Sequence, residues 1–224
     1  MVKPLTEIKK IGEFELNKIY CMDCLEGLKK IPDNSVDLVL TDPPYGIGAD
    51  KGSGHYGHTA QRNYNDNWDN STPPKEIFDE ILRIGKKIII FGGNYFTDKL
   101  PVGTFWIVWD KVGNIKFDNP FSDCELLWTN INRKSVKKYI CIQQGFVKDD
   151  DLNNQRVHPT QKPLKLIREI LKDNPDCLLV LDPFIGSGTT AVACKQLGRK
   201  FIGFEISPEY CEIAEERLCQ ETLL

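Results

Sequence analysis

Thr41-Asp42-Pro43-Pro44-Tyr45 places an acid, two prolines and an aromatic ring at the end of an apolar run that opens at Val36. Asp42 would be an anionic acceptor at the carboxyl end of a strand. The prolines fix φ and remove two backbone N–H donors, so the turn is stiff and presents carbonyls. An exocyclic amine carries two N–H donors and a lone pair delocalised into its ring. Accepting one hydrogen on the Asp42 carboxylate and the other on the Pro43 carbonyl draws that nitrogen towards tetrahedral geometry and frees the lone pair for attack. Tyr45 would give an extruded base a flat face to stack on. A bare Asp-Pro-Pro can be no more than a proline turn capped by its acid. The tyrosine and the preceding strand make the chemical reading more specific.

The second constellation is Asp182-Pro183-Phe184-Ile185-Gly186-Ser187-Gly188-Thr189-Thr190, between a strand and a helix. Its glycines permit a tight turn and close backbone approach to a ligand, with a helix N-terminus beneath. Taken alone, the glycine spacing also fits a dinucleotide fingerprint. No lysine follows the glycines, which excludes a P-loop. Glu205 ends the next strand, where an acid suits a ribose diol; the plainer and less favoured reading is an acid capping the helix that starts at Ser207.

These turns need strands that end at them and helices that follow. Val36 to Thr41, Lys87 to Phe91, Leu178 to Leu181 and Lys200 to Glu205 read as strands. Pro73 to Ile84, Pro163 to Lys172 and Gly188 to Leu197 read as helices, and Ser207-Pro208 starts a last one. Thr104 to Trp109, Glu125 to Thr129 and Lys138 to Ile142 read as later strands with no helix between them, so antiparallel pairing is expected there. Strand–helix alternation predicts a single α/β domain over 1–224, with a mostly parallel sheet, helices on both faces and a ligand at the strands' carboxyl ends. Two stretches read as loops. Residues 46–72, rich in Gly, Asn, Asp and His, are long enough to suggest a functional segment, here target recognition. Residues 143–162 form a second, polar loop.

On these motifs the chain resembles the amino-methylating DNA methyltransferases of the N6-adenine/N4-cytosine family. Asp42-Pro43-Pro44-Tyr45 resembles their catalytic motif, and the segment from Asp182 to Thr190 resembles their S-adenosylmethionine loop. His158-Pro159-Thr160-Gln161-Lys162-Pro163 resembles the element that lies along the methionine end of the cofactor. Cys21-Met22-Asp23-Cys24-Leu25 resembles an element whose acid reaches the cofactor adenine, with Met22 where glycine is common. The resemblance implies a Rossmann-like fold with a seven-stranded sheet, cofactor at one half and a flipped base at the other. It assigns Asp42, Pro43, Pro44 and Tyr45 to catalysis. It assigns Asp23, His158, Thr160, Lys162, Asp182, Phe184, Gly186, Ser187, Gly188, Thr189 and Glu205 to S-adenosylmethionine. Catalytic motif before cofactor loop is the order of the β group, many of whose members are dimers. Asp before Pro-Pro-Tyr leans towards N6 of adenine, with N4 of cytosine as the alternative. A cognate restriction endonuclease is a possible partner. There is little room for a separate target-recognition domain, and no C-terminal DNA-clamping extension is expected.

Composition bounds the rest. Hydrophobic residues make up 41% and charged residues 27% of 224, as in an ordinary globular domain. The eight cysteines are scattered; Cys21 and Cys24 lack the second pair that zinc needs, and the three histidines lack ligand spacing. No apolar run is long enough to span a bilayer, and no signal-type segment opens the chain, so a cytoplasmic protein is expected. Net charge is −3. Double-stranded DNA must then meet local basic patches. The candidates are Lys51, His55 and Arg62 in the long loop, and Arg133, Lys134, Lys137 and Lys138. A nicotinamide-dependent oxidoreductase would use the glycine loop but leave Asp42 to Tyr45 without a task. A catalytically silent DNA-binding subunit would be expected to have lost Asp42 or a glycine.

Overall fold

The computed structural model describes residues 9–48, 69–103, 105–116, 122–132, 135–144, 147–148 and 161–220. The pair β1 (Lys10–Ile11) and β2 (Phe14–Glu15) precedes β3 (Lys18–Cys21), the short helix α1 (Cys24–Leu28) and β4 (Val36–Thr41). Helix α2 (Lys75–Ile84) runs into β5 (Gly85–Phe91), which ends in a 3-10 turn at Gly93–Tyr95. Next come β6 (Trp106–Asp110), β7 (Cys124–Thr129), β8 (Lys137–Ile140) and the small pair β9 (Gln143–Gln144) and β10 (Val147–Lys148). Then follow α3 (Leu164–Lys172), β11 (Leu179–Asp182), α4 (Thr189–Gln196), β12 (Lys200–Glu205) and α5 (Pro208–Gln220).

The main sheet has the order β3-β12-β11-β4-β5-β7-β6-β8, eight strands among the described residues where the resemblance implied seven. The additional strand relative to the sequence reading is β3. It is an edge strand of four residues, none of them buried, so it leaves no apolar run to notice. Strands β3, β12, β11, β4 and β5 are mutually parallel. As expected, β7 is antiparallel to both β5 and β6. The expectation fails at β8, which lies parallel to β6 because it passes over its chain predecessor β7 to reach the sheet edge.

Strand residues alternate between the two faces, and each face has its own helices. Leu38, Leu40, Ile89, Phe91 and Val180 pack on α3 and α4 through Ile167, Ile170 and Val192. Val39, Ile88, Ile90, Leu181 and Phe204 face the other way, towards Phe78 and Ile81 of α2 and Leu28 of α1. Helix α4 begins Thr-Thr-Ala-Val-Ala-Cys and buries all six of these residues. Such small side chains let it lie close to the sheet.

The buried guanidinium of Arg199 locks the end of α3 to the start of β12. It donates to the carbonyls of Leu171 (2.5 Å), Asn174 (3.0 Å) and Cys177 (2.9 Å). Arg199→Met would leave these acceptors without that donor. At about 1–3 kcal/mol for each unsatisfied buried group, a loss of roughly 3–5 kcal/mol is expected. Urea unfolding tests this: the midpoint should fall at unchanged m, and an unmoved midpoint would refute the clamp.

Candidate active site

Chain order reverses between β11 and β4, because β4 leads outward to β5 while β11 leads outward to β12. Open α/β sheets bind ligands at the carboxyl ends of strands beside such a point. A cleft of 620 Å³ opens there. Asp42 and Pro44 line it from the end of β4, and Phe184, Gly186, Ser187 and Thr189 line it from the turn after β11. Glu205 closes it from the end of β12, and Lys162 from the segment before α3.

Glu205 is fixed by backbone donors. Gly186 N and Ser207 N each donate to one of its oxygens, both at 2.9 Å. Burial pushes its carboxyl up, against the pull of these N–H groups. Each oxygen keeps further lone-pair capacity for a diol. Gly186 has φ +51, and a Cβ there would meet no protein atom within 4 Å. This open space beside the backbone is a cradle that a side chain would fill, and it fits a ligand laid along the turn.

Gly188 differs. A Cβ at Gly188 would sit 2.8 Å from Cβ of Ala214, so this glycine, at φ +83, lets α4 and α5 pack together. It is not among the residues that line the cleft, and its packing on Ala214 is a second reason for glycine here besides the expected approach to cofactor. Arg217 of α5 steadies the same turn, donating to the Ser187 hydroxyl at 3.0 Å and to the Thr189 hydroxyl at 3.2 Å.

Two acids expected at the cofactor also hold donors from the protein itself. Asp182 borders the cleft, but Oδ1 accepts from the Thr41 hydroxyl (2.8 Å) and Phe184 N (3.1 Å), and Oδ2 from the Thr190 hydroxyl (2.7 Å). Burial pushes its carboxyl up to about 6. Asp23 is the N-cap of α1, where Oδ1 accepts from Leu25 N at 2.8 Å and Glu26 N at 3.3 Å. Asp23 is not among the cleft-lining residues. Its sequence position explains the cap: an acid just before a helix takes up free N–H groups.

Lys162, expected beside cofactor, lines the same cleft and there meets two carboxylates. Nζ lies 2.5 Å from Asp42 Oδ2 and 3.4 Å from Glu125 Oε1. It sits over the rings of Tyr45 and Phe91, at 5.5 and 5.2 Å from their centroids. The Tyr45 hydroxyl is 2.6 Å from both Asp42 Oδ1 and Glu125 Oε1. Lys111 pairs with the other Glu125 oxygen at 3.0 Å. Burial pushes the Asp42 carboxyl up, opposed by the Lys162 ammonium and reinforced by the Glu125 charge. Burial would raise Glu125 too, yet Lys162 and Lys111 bring it down to about 2. Burial and the two carboxylates drive the Tyr45 phenol well above its ordinary value.

Sequence reasoning missed Glu125 and Lys111. The available signal was an acid next to Leu126-Leu127-Trp128, since a charge on an apolar strand needs a partner. One face of Tyr45, expected to be open for a base, stacks on Tyr95 at 4.8 Å and 13°. The Tyr45 ring also rests on Gly92, in the Gly92-Gly93-Asn94 turn that follows β5.

Lys137 pairs with Asp173 at 2.8 Å, and Lys138 with Asp110 at 3.1 Å. Lys51, His55, Arg62, Arg133, Lys134, His158 and Thr160 lie outside the described residues. The start and end of the 46–72 segment are joined at Asp69, whose carboxylate accepts from Gly46 N at 2.8 Å and Ile47 N at 3.3 Å. Among the described residues, no group of three or more His, Cys, Asp or Glu is placed to hold a metal ion, and no helix is long and apolar enough to cross a membrane. All eight cysteines are free thiols, five of them buried.

The fold and site have known counterparts. A family model described as DNA methylase (N6_N4_Mtase) matches residues 101–216. The Type II methyltransferase M.HpaI of Haemophilus parainfluenzae is 32% identical, over 91% of this chain and 74% of its own length. The Type II methyltransferase M.HinfI of Haemophilus influenzae is 30% identical, over 94% of this chain and 70% of its own length. The crystal structure of the M1.HpyAVI–SAM complex shares the fold at a TM-score of 0.56 and 24% identity, covering 90% of this chain and 98% of that one. With a cleft at the switch point, an acid and aromatic turn on one side of it and a glycine turn on the other, the chain belongs to the N6/N4 DNA methylase family.

Proposed function

We propose that this S-adenosylmethionine-dependent DNA methyltransferase modifies N6 of adenine at a specific duplex sequence, with Asp42 as acceptor for the target amine. The observation that carries this reading is that Asp42 and the Gly186 turn border one cleft. Bound S-adenosylmethionine supplies an electrophilic methyl group on its sulfonium. Glu205 receives the ribose hydroxyls, and Phe184, Gly186, Ser187 and Thr189 line the rest of its bed. His158 and Thr160 complete the methionine end. Asp42 and the Pro43 carbonyl take one amine hydrogen each, which frees the nitrogen lone pair, while Pro44 stiffens the turn and Tyr45 supports the base. Asp before Pro-Pro-Tyr favours adenine over N4 of cytosine, and the motif order places the chain in the β group. One domain spans 1–224, with 46–72 reading the target and 143–162 leading to the cofactor segment. A homodimer, a cognate restriction endonuclease and a cytoplasmic setting go with this reading. Sequencing DNA from a methylation-free host that expresses the chain tests the base assignment: modified cytosine in place of adenine would overturn it.

Three variants test the site. Asp42→Ala should lower single-turnover methyl transfer by roughly 10²–10³-fold, about 3–4 kcal/mol, with cofactor affinity hardly changed. A wild-type rate would make the Asp-Pro-Pro-Tyr turn purely structural.

Gly186→Ala puts a methyl group into the cradle at positive φ. S-adenosylhomocysteine affinity should drop about tenfold or more, for a stability loss of roughly 1–2 kcal/mol. Undiminished affinity by calorimetry would remove Gly186 from the cofactor bed.

Lys51, His55, Arg62, Arg133, Lys134, Lys137 and Lys138 are the proposed DNA contacts, and phosphate would replace the acids that now pair with Lys137 and Lys138. Neutralising Lys134, Lys137 and Lys138 together should weaken DNA binding and flatten its dependence on salt. The same slope in both proteins would exclude that run from the interface.

A further inference from the structure

Asp42 has two side-chain partners among the described residues, and each of them also reaches Glu125. The Tyr45 hydroxyl is 2.6 Å from Asp42 Oδ1 and 2.6 Å from Glu125 Oε1. Lys162 Nζ is 2.5 Å from Asp42 Oδ2 and 3.4 Å from Glu125 Oε1. A phenol has one proton, so Tyr45 donates to one carboxylate at a time. An ammonium has three and can hold both.

This arrangement poses a problem for the reaction. Each Asp42 oxygen already accepts a donor, and although a lone pair remains on each, a donor held there draws off charge and crowds the approach of the target amine. Whichever partner yields must go elsewhere. The Lys162 side chain is 12% exposed, so its ammonium has little water to retreat to. A buried charge stripped of its partner is strongly disfavoured. Glu125 removes this obstacle, because it is an acceptor already in reach. Lys111, 3.0 Å from Glu125 Oε2, keeps that acceptor ionised.

We propose that Glu125 is a positioning residue for methyl transfer: it takes Lys162 and Tyr45 over from Asp42 when the target amine arrives, leaving Asp42 as an open, ionised acceptor. This rests on Asp42 being the amine acceptor. Glu125 makes no bond to substrate and takes no proton from it. Its work is to hold two donors that would otherwise compete with the amine. The ionisable groups that act on Asp42 come from five parts of the fold. They are Tyr45 after β4, Glu125 on β7, Lys162 before α3 and Asp182 at the end of β11, with Lys111 after β6 acting through Glu125.

The test is single-turnover methyl transfer by Glu125→Gln across a range of pH, with saturating cofactor. Glutamine keeps the shape but loses the charge, so Lys162 stays committed to Asp42. The rate at neutral pH should fall about tenfold or more, while S-adenosylhomocysteine affinity in the same sample stays within about twofold. The pH profile carries the diagnostic sign. The negative charge of Glu125 raises the Asp42 pKa. Removing it lets Asp42 ionise at lower pH, so the acid limb of the rate should move down. The limb reports the loss of that charge beside Asp42, and a second variant is what excludes a merely structural role. A second variant separates the two donors. In Glu125→Gln/Lys162→Met no ammonium competes for Asp42. At alkaline pH, where Asp42 ionises without help, the double variant should be faster than Glu125→Gln alone. A wild-type rate in Glu125→Gln, a stationary limb, or a double variant no faster than the single one would each overturn the proposal. If Asp42→Ala is inactive while Glu125→Gln is wild type, only the role of Glu125 fails. If Asp42→Ala is itself active, both readings fall.

Discussion

Asp182 is a carboxylate buried where the ends of β11 and β4 lie side by side, and the site is built around it. Its three donors come from three places: Thr41 beside the catalytic turn, Phe184 at the start of the glycine turn, and Thr190 in the first turn of α4. One side chain thus ties the Asp-Pro-Pro-Tyr turn, the glycine turn and a helix start together. The arrangement has an energetic cost. With its folded pKa at about 6, above the ordinary 3.8, the folded chain binds this proton more readily than the unfolded chain. The group therefore subtracts stability at neutral pH, on the order of 3 kcal/mol, and the penalty fades as pH falls through about 6 towards the ordinary value. A buried acid kept at that cost makes sense for what it joins: displace it, and Asp42 and Gly186 lose their common frame.

The second constraint is charge balance around Asp42. Two carboxylates, Asp42 and Glu125, lie with two ammoniums, Lys162 and Lys111. Either acid alone in so dry a place would tend to protonate, and either lysine alone to lose its proton. Together they hold one another charged. The neutral sum also bears on DNA. A chain of net charge −3 that carried two uncompensated acids at its base site would repel the phosphates flanking an extruded nucleotide. Pairing removes that repulsion without removing the acceptor.

Residues with one job were legible in the sequence, and residues with a partner elsewhere were not. Strands β4, β5, β11 and β12 carry apolar runs because both of their faces are covered, and Glu205 followed from its place at the end of one of them. Strand β3 escaped notice because an edge strand needs no such run. The sequence does not tell the packing of Gly188 against Ala214 from approach to a cofactor, because both call for the same residue type. Lys162 lies in a motif that resembles a cofactor element, but a long flexible side chain can answer to a charge on either side of the backbone. Here the buried carboxylates win it. Glu125 and Lys111 belong to strands remote in sequence from Asp42, and only the sheet order β4-β5-β7-β6 brings them to one end.

On the proposed reading, chemistry and target reading meet just after Tyr45. The segment proposed to read DNA starts one residue after Tyr45, so any strain in it would reach the catalytic turn directly. Asp69 stands in the way. Its carboxylate, 1% exposed, accepts from Gly46 N and Ile47 N, and its own carbonyl accepts from Gly48 N at 3.1 Å. Three bonds from one residue close the segment into a loop whose two ends are fixed to each other. The residues between can then differ in length and composition without moving Asp42, because the loop pulls first on Asp69. Below the neck, Tyr45 is held independently by Asp42, Glu125 and the stack on Tyr95. On the proposed reading, substitutions within 49–68 would leave the position of Asp42 as it is.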